Sequence, residues 1–233
     1  MQNPFNQNIS NQNPYNLPYA GGYSAAVRSS VLAKVSGLLA FSMVFTALGA
    51  VVGMQAPGLG LPALIGVLIL SFVVQLARNV PVLNLFLLYT LTTLMGVGLG
   101  GIIDLYINAG AGTIVVEAAG STALLTVGLA AYALTTKSDM SSWGSKLFIA
   151  LIGLIAASVV GIFVQATILD IVIGLGGSVL FSLYLVYQIN RARTIEDTLG
   201  NAIVVAVGIY LSIINLFLSL LRLLTALQGG SRR

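Results

Sequence analysis

Residues 208–224, GIYLSIINLFLSLLRLL, are almost pure hydrocarbon, yet they carry Tyr210, Ser212, Asn215, Ser219 and Arg222. The run continues from residue 201 to 226 without a proline or an acid. At 1.5 Å per residue it is long enough to cross a bilayer core of ~30 Å. A polar atom held in lipid needs a partner, so these five side chains must either join helices or mark a pathway.

The rest of the chain is of the same material. Of its 233 residues 58% are hydrophobic and 7% charged, and the mean hydropathy is +1.00. A soluble domain carries about 25% charged residues, so this composition cannot clothe a water-facing surface. It specifies an all-α integral membrane protein. Six further apolar spans, at 31–53, 59–77, 81–103, 113–135, 146–166 and 168–189, precede the run at 201–226. The break between the fifth and sixth is the least marked. The domain is thus expected over residues 28–227, followed by a short basic tail at 228–233. Residues 1–27 are rich in Asn, Gln, Pro and Tyr, with no charge before Arg28. They cannot bury enough apolar surface to offset chain entropy and are expected to be a disordered leader. No cleavable signal peptide is expected, since the first apolar run is too long.

Arg28, Lys34, Arg78, Lys137, Lys146, Arg191 and Arg193 all fall on one side of a seven-span arrangement. The loops on the other side carry Asp104 and Asp170 and no cation. The positive-inside rule then places the N-terminus in the cytoplasm. The dissenting charges are Arg222, Arg232 and Arg233, which would be inside if the last span were re-entrant. The length of 201–226 favours crossing. The scattered cations give no nucleic-acid signal.

There is no Cys and no His, which removes thiol nucleophiles, histidine metal sites and the commonest general base. No GxSxG, SxxK or zinc motif occurs. GVGLGG at 96–101 matches GxGxxG, but no strand precedes it and no acid follows at the required distance. With Gly49 and Gly53 it reads instead as small-residue helix packing. A retinal protein needs a lysine deep in its last helix, and 201–226 has none. Neither an enzyme nor a bound cofactor is expected.

Ionisable residues inside spans are functional candidates. Glu117 lies one turn into the fourth span, where function and packing both fit. Arg222 is free to snorkel or to pair with Glu117. Asp170 and Lys34 read as interfacial. In the last hairpin, Gln188 and Ser212 are both 12 residues from Gly200. A turn centred there sets them face to face, with Tyr184, Tyr187 and Asn215 on neighbouring turns. Interhelical bonding is the plain reading of that cluster.

On these residues the chain resembles the Bax inhibitor-1 family. YALTTKSDMSSWGSKLFIALIGLI is similar to the family's fourth loop and fifth helix, LFSLYLVYQINRA to its sixth helix, and GIYLSIINLFLSLLRLL to its C-terminal stretch. The resemblance covers about residues 28 to 226. It implies seven transmembrane helices with the C-terminal helix central. It also implies calcium leak, pH response, cell-death suppression or, in bacteria, control of a membrane protease. The family typically places an aspartate where this chain has Gln188 and another where it has Ser212, and often an acid where it has Met95. That aspartate pair is the family's proposed pH sensor, since close carboxylates share a proton. Gln and Ser hydrogen-bond but do not titrate. Two readings follow: a calcium or cation leak with altered or lost pH control in a bacterial inner membrane, or a non-conducting regulator that binds a membrane protease or other membrane protein. The candidate pathway or switch residues are Gln188, Ser212, Glu117, Asn215, Tyr184 and Arg222. A solute carrier finds no support in inverted repeats or broken helices.

Overall fold

The computed structural model describes residues 20–136, 138, 140, 142–164 and 166–230, with the side chains of 20–29 and 230 excepted. Most of the leader assigned to 1–27, and Arg232 and Arg233, lie outside the described residues. Among the described residues seven α-helices form: α1 (Ala20–Gln55), α2 (Gly60–Leu76), α3 (Pro81–Asn108), α4 (Gly112–Thr135), α5 (Trp143–Val164), α6 (Thr167–Ala192) and α7 (Leu199–Gly230). All seven are long and apolar enough to cross a membrane. The expected spans are recovered, including the weak fifth-to-sixth break. There Ala166 turns to extended geometry (φ −94°, ψ 125°) between the two helices. With 32 residues, α7 is one continuous helix about 48 Å long, more than a bilayer core requires.

The helix ends follow local chemistry. Pro81 opens α3, where its missing N–H costs no hydrogen bond. Gly110 turns the chain between α3 and α4 at φ +70°, a left-handed conformation that other residues rarely adopt. Beside it the amide of Ala111 donates to the carbonyl of Tyr106.

The core lies along α7. Of its most apolar 18 residues 61% are buried, against 17% for α2 and α4 and 11% for α5. Helices α1, α3, α4 and α6 pack on it, while α5 packs chiefly on α6 at the periphery. The many exposed large hydrophobics of α2, α4 and α5, such as Leu61, Phe72, Leu124 and Phe163, form the lipid-facing surface that low charge content requires.

The tightest contact joins α1 to α3. Gly49 lies against Thr93 and Gly53 against Val97, and Gly96 lies against Thr46 and Gly100 against Ala50. The contacts advance together along both chains, so the helices run parallel. A Cβ on any of these glycines would overlap a backbone carbonyl oxygen. The small-residue packing expected from the sequence is thus present, with its partners now identified.

One end of the bundle carries cations that tie loops together. Lys34 pairs with Asp197 at 2.7 Å. The Arg193 guanidinium donates to the carbonyls of Ala133 and Thr136 at 3.0 Å, closing the last turn of α4. The bonds from Lys34 and then from Ser30 hold the Asp197 carboxyl below its ordinary value of 3.8. A depressed carboxyl stabilises the fold above its unfolded-state pKa, and that contribution is lost as pH falls through the folded-state value. The pair is solvent-exposed, so the effect is small. We expect the thermal midpoint of the wild type to fall more steeply than that of Asp197→Asn between pH ~5 and pH ~3. Parallel curves would show that the pair contributes nothing.

Candidate functional site

The candidate site is the interior of α7 and the faces that close on it. Its polar side chains divide into two kinds. Ser212, Ser219 and Thr225 each donate to the carbonyl four residues earlier, at 2.7 Å, and the Asn215 amide does the same to Leu211. Such bonds satisfy the group within its own helix. The expectation that Ser212 and Asn215 join helices is therefore corrected: in a lipid-embedded helix the preceding turn is the nearest acceptor.

Tyr210 and Arg222 reach other helices, as do Gln228 and, with a second bond, Thr225. Tyr210 is fully buried, and its hydroxyl shares a 2.6 Å hydrogen bond with Thr46 of α1. Thr46 is also within 3.2 Å of the carbonyl of Thr92 on α3, so one polar knot links three helices. At the far end of α7, Arg222 binds Asp170 of α6 through two nitrogens, at 2.7 and 3.0 Å. The pairing of Arg222 with Glu117 is not formed. Glu117 is exposed and accepts instead from Gln228 at 2.8 Å. The reason is register: α6 packs closely along α7, and its first turn brings Asp170 beside Arg222 before α4 can offer Glu117. Asp170, read from the sequence as merely interfacial, is thus part of the site.

Register also corrects the last hairpin. Gln188 packs on Gly208, Gly177 on Ser219 and Gly174 on Leu223. These pairs centre on residue 198, not Gly200. Ser212 therefore lies level with Tyr184, one turn from Gln188, and the two positions are not face to face. Gly208 leaves room for Gln188, whose Oε1 is buried without a hydrogen-bond partner. Tyr184 stacks near Phe181, with ring centroids 6.2 Å apart.

Thr46 and Asn84 both escaped the sequence reading. Asn84 on α3 is fully buried, and neither its Oδ1 nor its Nδ2 has a partner. Its position inside PVLNLFLL was a visible signal, since an amide within an apolar run is costly to bury.

Between Tyr210 and the Asp170–Arg222 pair, α7 is closed. Ile214, Leu216, Phe217 and Leu221 are all buried. Beyond them a cleft of about 500 Å³ opens at the end where Asp170 and Arg222 lie, walled by Tyr106 of α3 and Thr225 of α7. Tyr106 and Thr225 hydrogen-bond to each other across it at 2.8 Å. Among the described residues no three His, Cys, Asp or Glu side chains converge as a metal site would require.

The Asp170–Arg222 pair is partly exposed, so Arg222→Gln is expected to lower stability by only about 1 kcal/mol. Loss of more than ~3 kcal/mol in a detergent melt would show instead that the pair behaves as a buried one.

The fold and this site define an integral membrane protein of seven helices whose polar groups gather on a buried C-terminal helix. The protein-family model described as inhibitor of apoptosis-promoting Bax1 matches residues 28–229, and the chain belongs to the Bax inhibitor-1 family. Similar proteins include the modulator of FtsH protease YccA of Escherichia coli K12, 31% identical over 186 residues, covering 80% of this chain and 83% of that one. The Golgi anti-apoptotic protein of vaccinia virus (strain Lister) is 30% identical over 215 residues, covering 86% and 87%. An uncharacterized protein of Helicobacter pylori (strain ATCC 700392 / 26695) is 34% identical over 154 residues, and the match spans 66% of each chain.

Proposed function

We propose that this chain is a non-catalytic regulator that acts by binding another protein in a bacterial inner membrane, with its N-terminus in the cytoplasm and a membrane protease as the partner. The observation that carries this reading is the closed axis of α7. For 12 residues, about 18 Å, the helix between Tyr210 and Arg222 presents buried apolar side chains to the core, and its Ser and Asn groups are satisfied by their own backbone. The relative named as a modulator of FtsH protease supports the choice of partner. The cationic loops at the basic end offer the contact surface.

A second reading, a calcium or cation leak with altered pH control, is favoured by one feature. Polar groups gather at two levels of α7, around Tyr210 near its middle and around Arg222, as they would in the closed state of a pathway plugged between them. At Gln188 and Ser212 no titratable pair exists to open it.

Two assays on the same purified protein separate the readings. Co-reconstituted with the FtsH protease, the wild type is expected to change the rate at which a membrane substrate is degraded. Calcium flux into proteoliposomes at about pH 6 and about pH 8, a range in which a proton-sharing carboxylate pair titrates, is expected to equal that of empty vesicles. Sustained flux at both pH values with no effect on proteolysis would overturn the regulatory reading in favour of the leak.

A further inference from the structure

Helices α4 and α5 both pack on α6 but make no substantial contact with each other. An apolar groove of about 490 Å³ runs along the seam of α4 and α6, floored by Val179 and Val186 of α6 and walled by Leu125 and Leu129 of α4, and α5 reaches it only through Trp143. Tyr132, near the end of α4, and Trp143, the first residue of α5, stand at its mouth. Along α6 it runs from Ser178 to Val186, eight residues or about 12 Å. That is close to the ~15 Å of one leaflet's hydrocarbon. The mouth lies at the basic end of the bundle.

We infer that this groove is a binding site for one phospholipid with an anionic headgroup. Its lining is apolar and faces the bilayer, which suits an acyl chain. Tyr and Trp at the mouth are the side chains that settle at headgroup depth. Lys146, exposed one turn beyond Trp143 on α5, and Arg191 in the last turn of α6 supply positive charge at the same end. Long basic side chains at that depth snorkel to the headgroups. An anionic phosphate therefore finds charge where the chain's polar end emerges. A transmembrane helix is a poorer fit. An apolar helix brings no negative charge to the end where Lys146 and Arg191 stand.

The occupant would fill the seam between α4 and α6 where α5 begins. The site is independent of whether the protein conducts or regulates.

The test uses the full chain in nanodiscs, with native mass spectrometry to count retained lipid. Phosphatidylglycerol and phosphatidylcholine are the probes. The wild type is expected to keep one phosphatidylglycerol through delipidation. Ser182→Trp, from the floor, and Leu129→Trp, from the wall, are expected to weaken that retention about tenfold. Leu68→Trp, on the lipid face of α2 where Leu68 is 65% exposed, is expected to leave it unchanged. Lys146→Gln should reduce the preference for phosphatidylglycerol over phosphatidylcholine about fivefold while keeping a lipid bound. Thermal melts of all four variants establish that each is folded. Equal retention by wild type and both groove variants would overturn the inference. So would a wild-type dimer that Ser182→Trp splits into monomers, since the occupant would then be a helix of a second copy.

Discussion

Replacing Gly96 with alanine is expected to cost more than the ~1–3 kcal/mol of ordinary overpacking and to remove most of the folded protein from a detergent extract. The added methyl would overlap the carbonyl oxygen of Thr46. Neither atom can swing aside, because the obstacle is the backbone of α1 and not the end of a side chain. The helices must separate, and separation breaks more than one contact. Thr46 sits in that interface and is the hydrogen-bond partner of Tyr210, so α7 loses its buried anchor too. Gly100→Ala is expected to behave alike, against Ala50. The controls are Gly37→Ala and Gly120→Ala, where nothing lies within 4 Å of the new methyl. There alanine should be neutral or should stabilise by up to ~1 kcal/mol through helix propensity. Monodisperse yield and thermal midpoint of the four variants decide the matter. Equal behaviour of the two sets would show that α1 and α3 are not in backbone contact.

The second large effect concerns the positions where the family carries acids. Gln188→Asp with Ser212→Asp places two carboxyl groups one helical turn apart along the α6–α7 seam, with residue 212 buried. Burial and mutual repulsion both raise a carboxyl pKa. A group whose folded-state pKa is raised is not penalised while both states are protonated, and it destabilises progressively as pH rises toward the folded-state value. The double variant should therefore match the wild type near pH ~4 and be less stable at pH ~8, by about 1.4 kcal/mol for each unit of upward shift. The wild type, with Gln and Ser there, should show no such trend. Melts of both proteins across that range test this. Parallel profiles would mean that water reaches the seam, and the view of a neutral, closed α6–α7 contact would have to be abandoned.

Much of this architecture was legible in the chain. Spans of about twenty apolar residues, Pro81 at a helix start and the segregation of Lys and Arg to alternate loops are local quantities. The bilayer thickness converts them directly into helices. The glycine pairs at 49/53 and 96/100 announced close packing because small residues four apart on one helix face let a neighbouring backbone approach.

What the chain did not disclose is who meets whom. The hairpin centre moved by two residues, from 200 to 198, and that alone replaced a Gln188–Ser212 pair with Gln188 on Gly208 and Ser212 level with Tyr184. Arg222 found Asp170 and not Glu117. The serines and Asn215 of GIYLSIINLFLSLLRLL turned back on their own helix, leaving Tyr210 and Arg222 to join it to others. Composition and span length determined that seven helices cross a membrane, because every residue in lipid answers to the same solvent. Partners were decided only by the tertiary structure. A shift of one or two residues changes which side chains share a depth, and close glycine contacts between helices distant in sequence set that register.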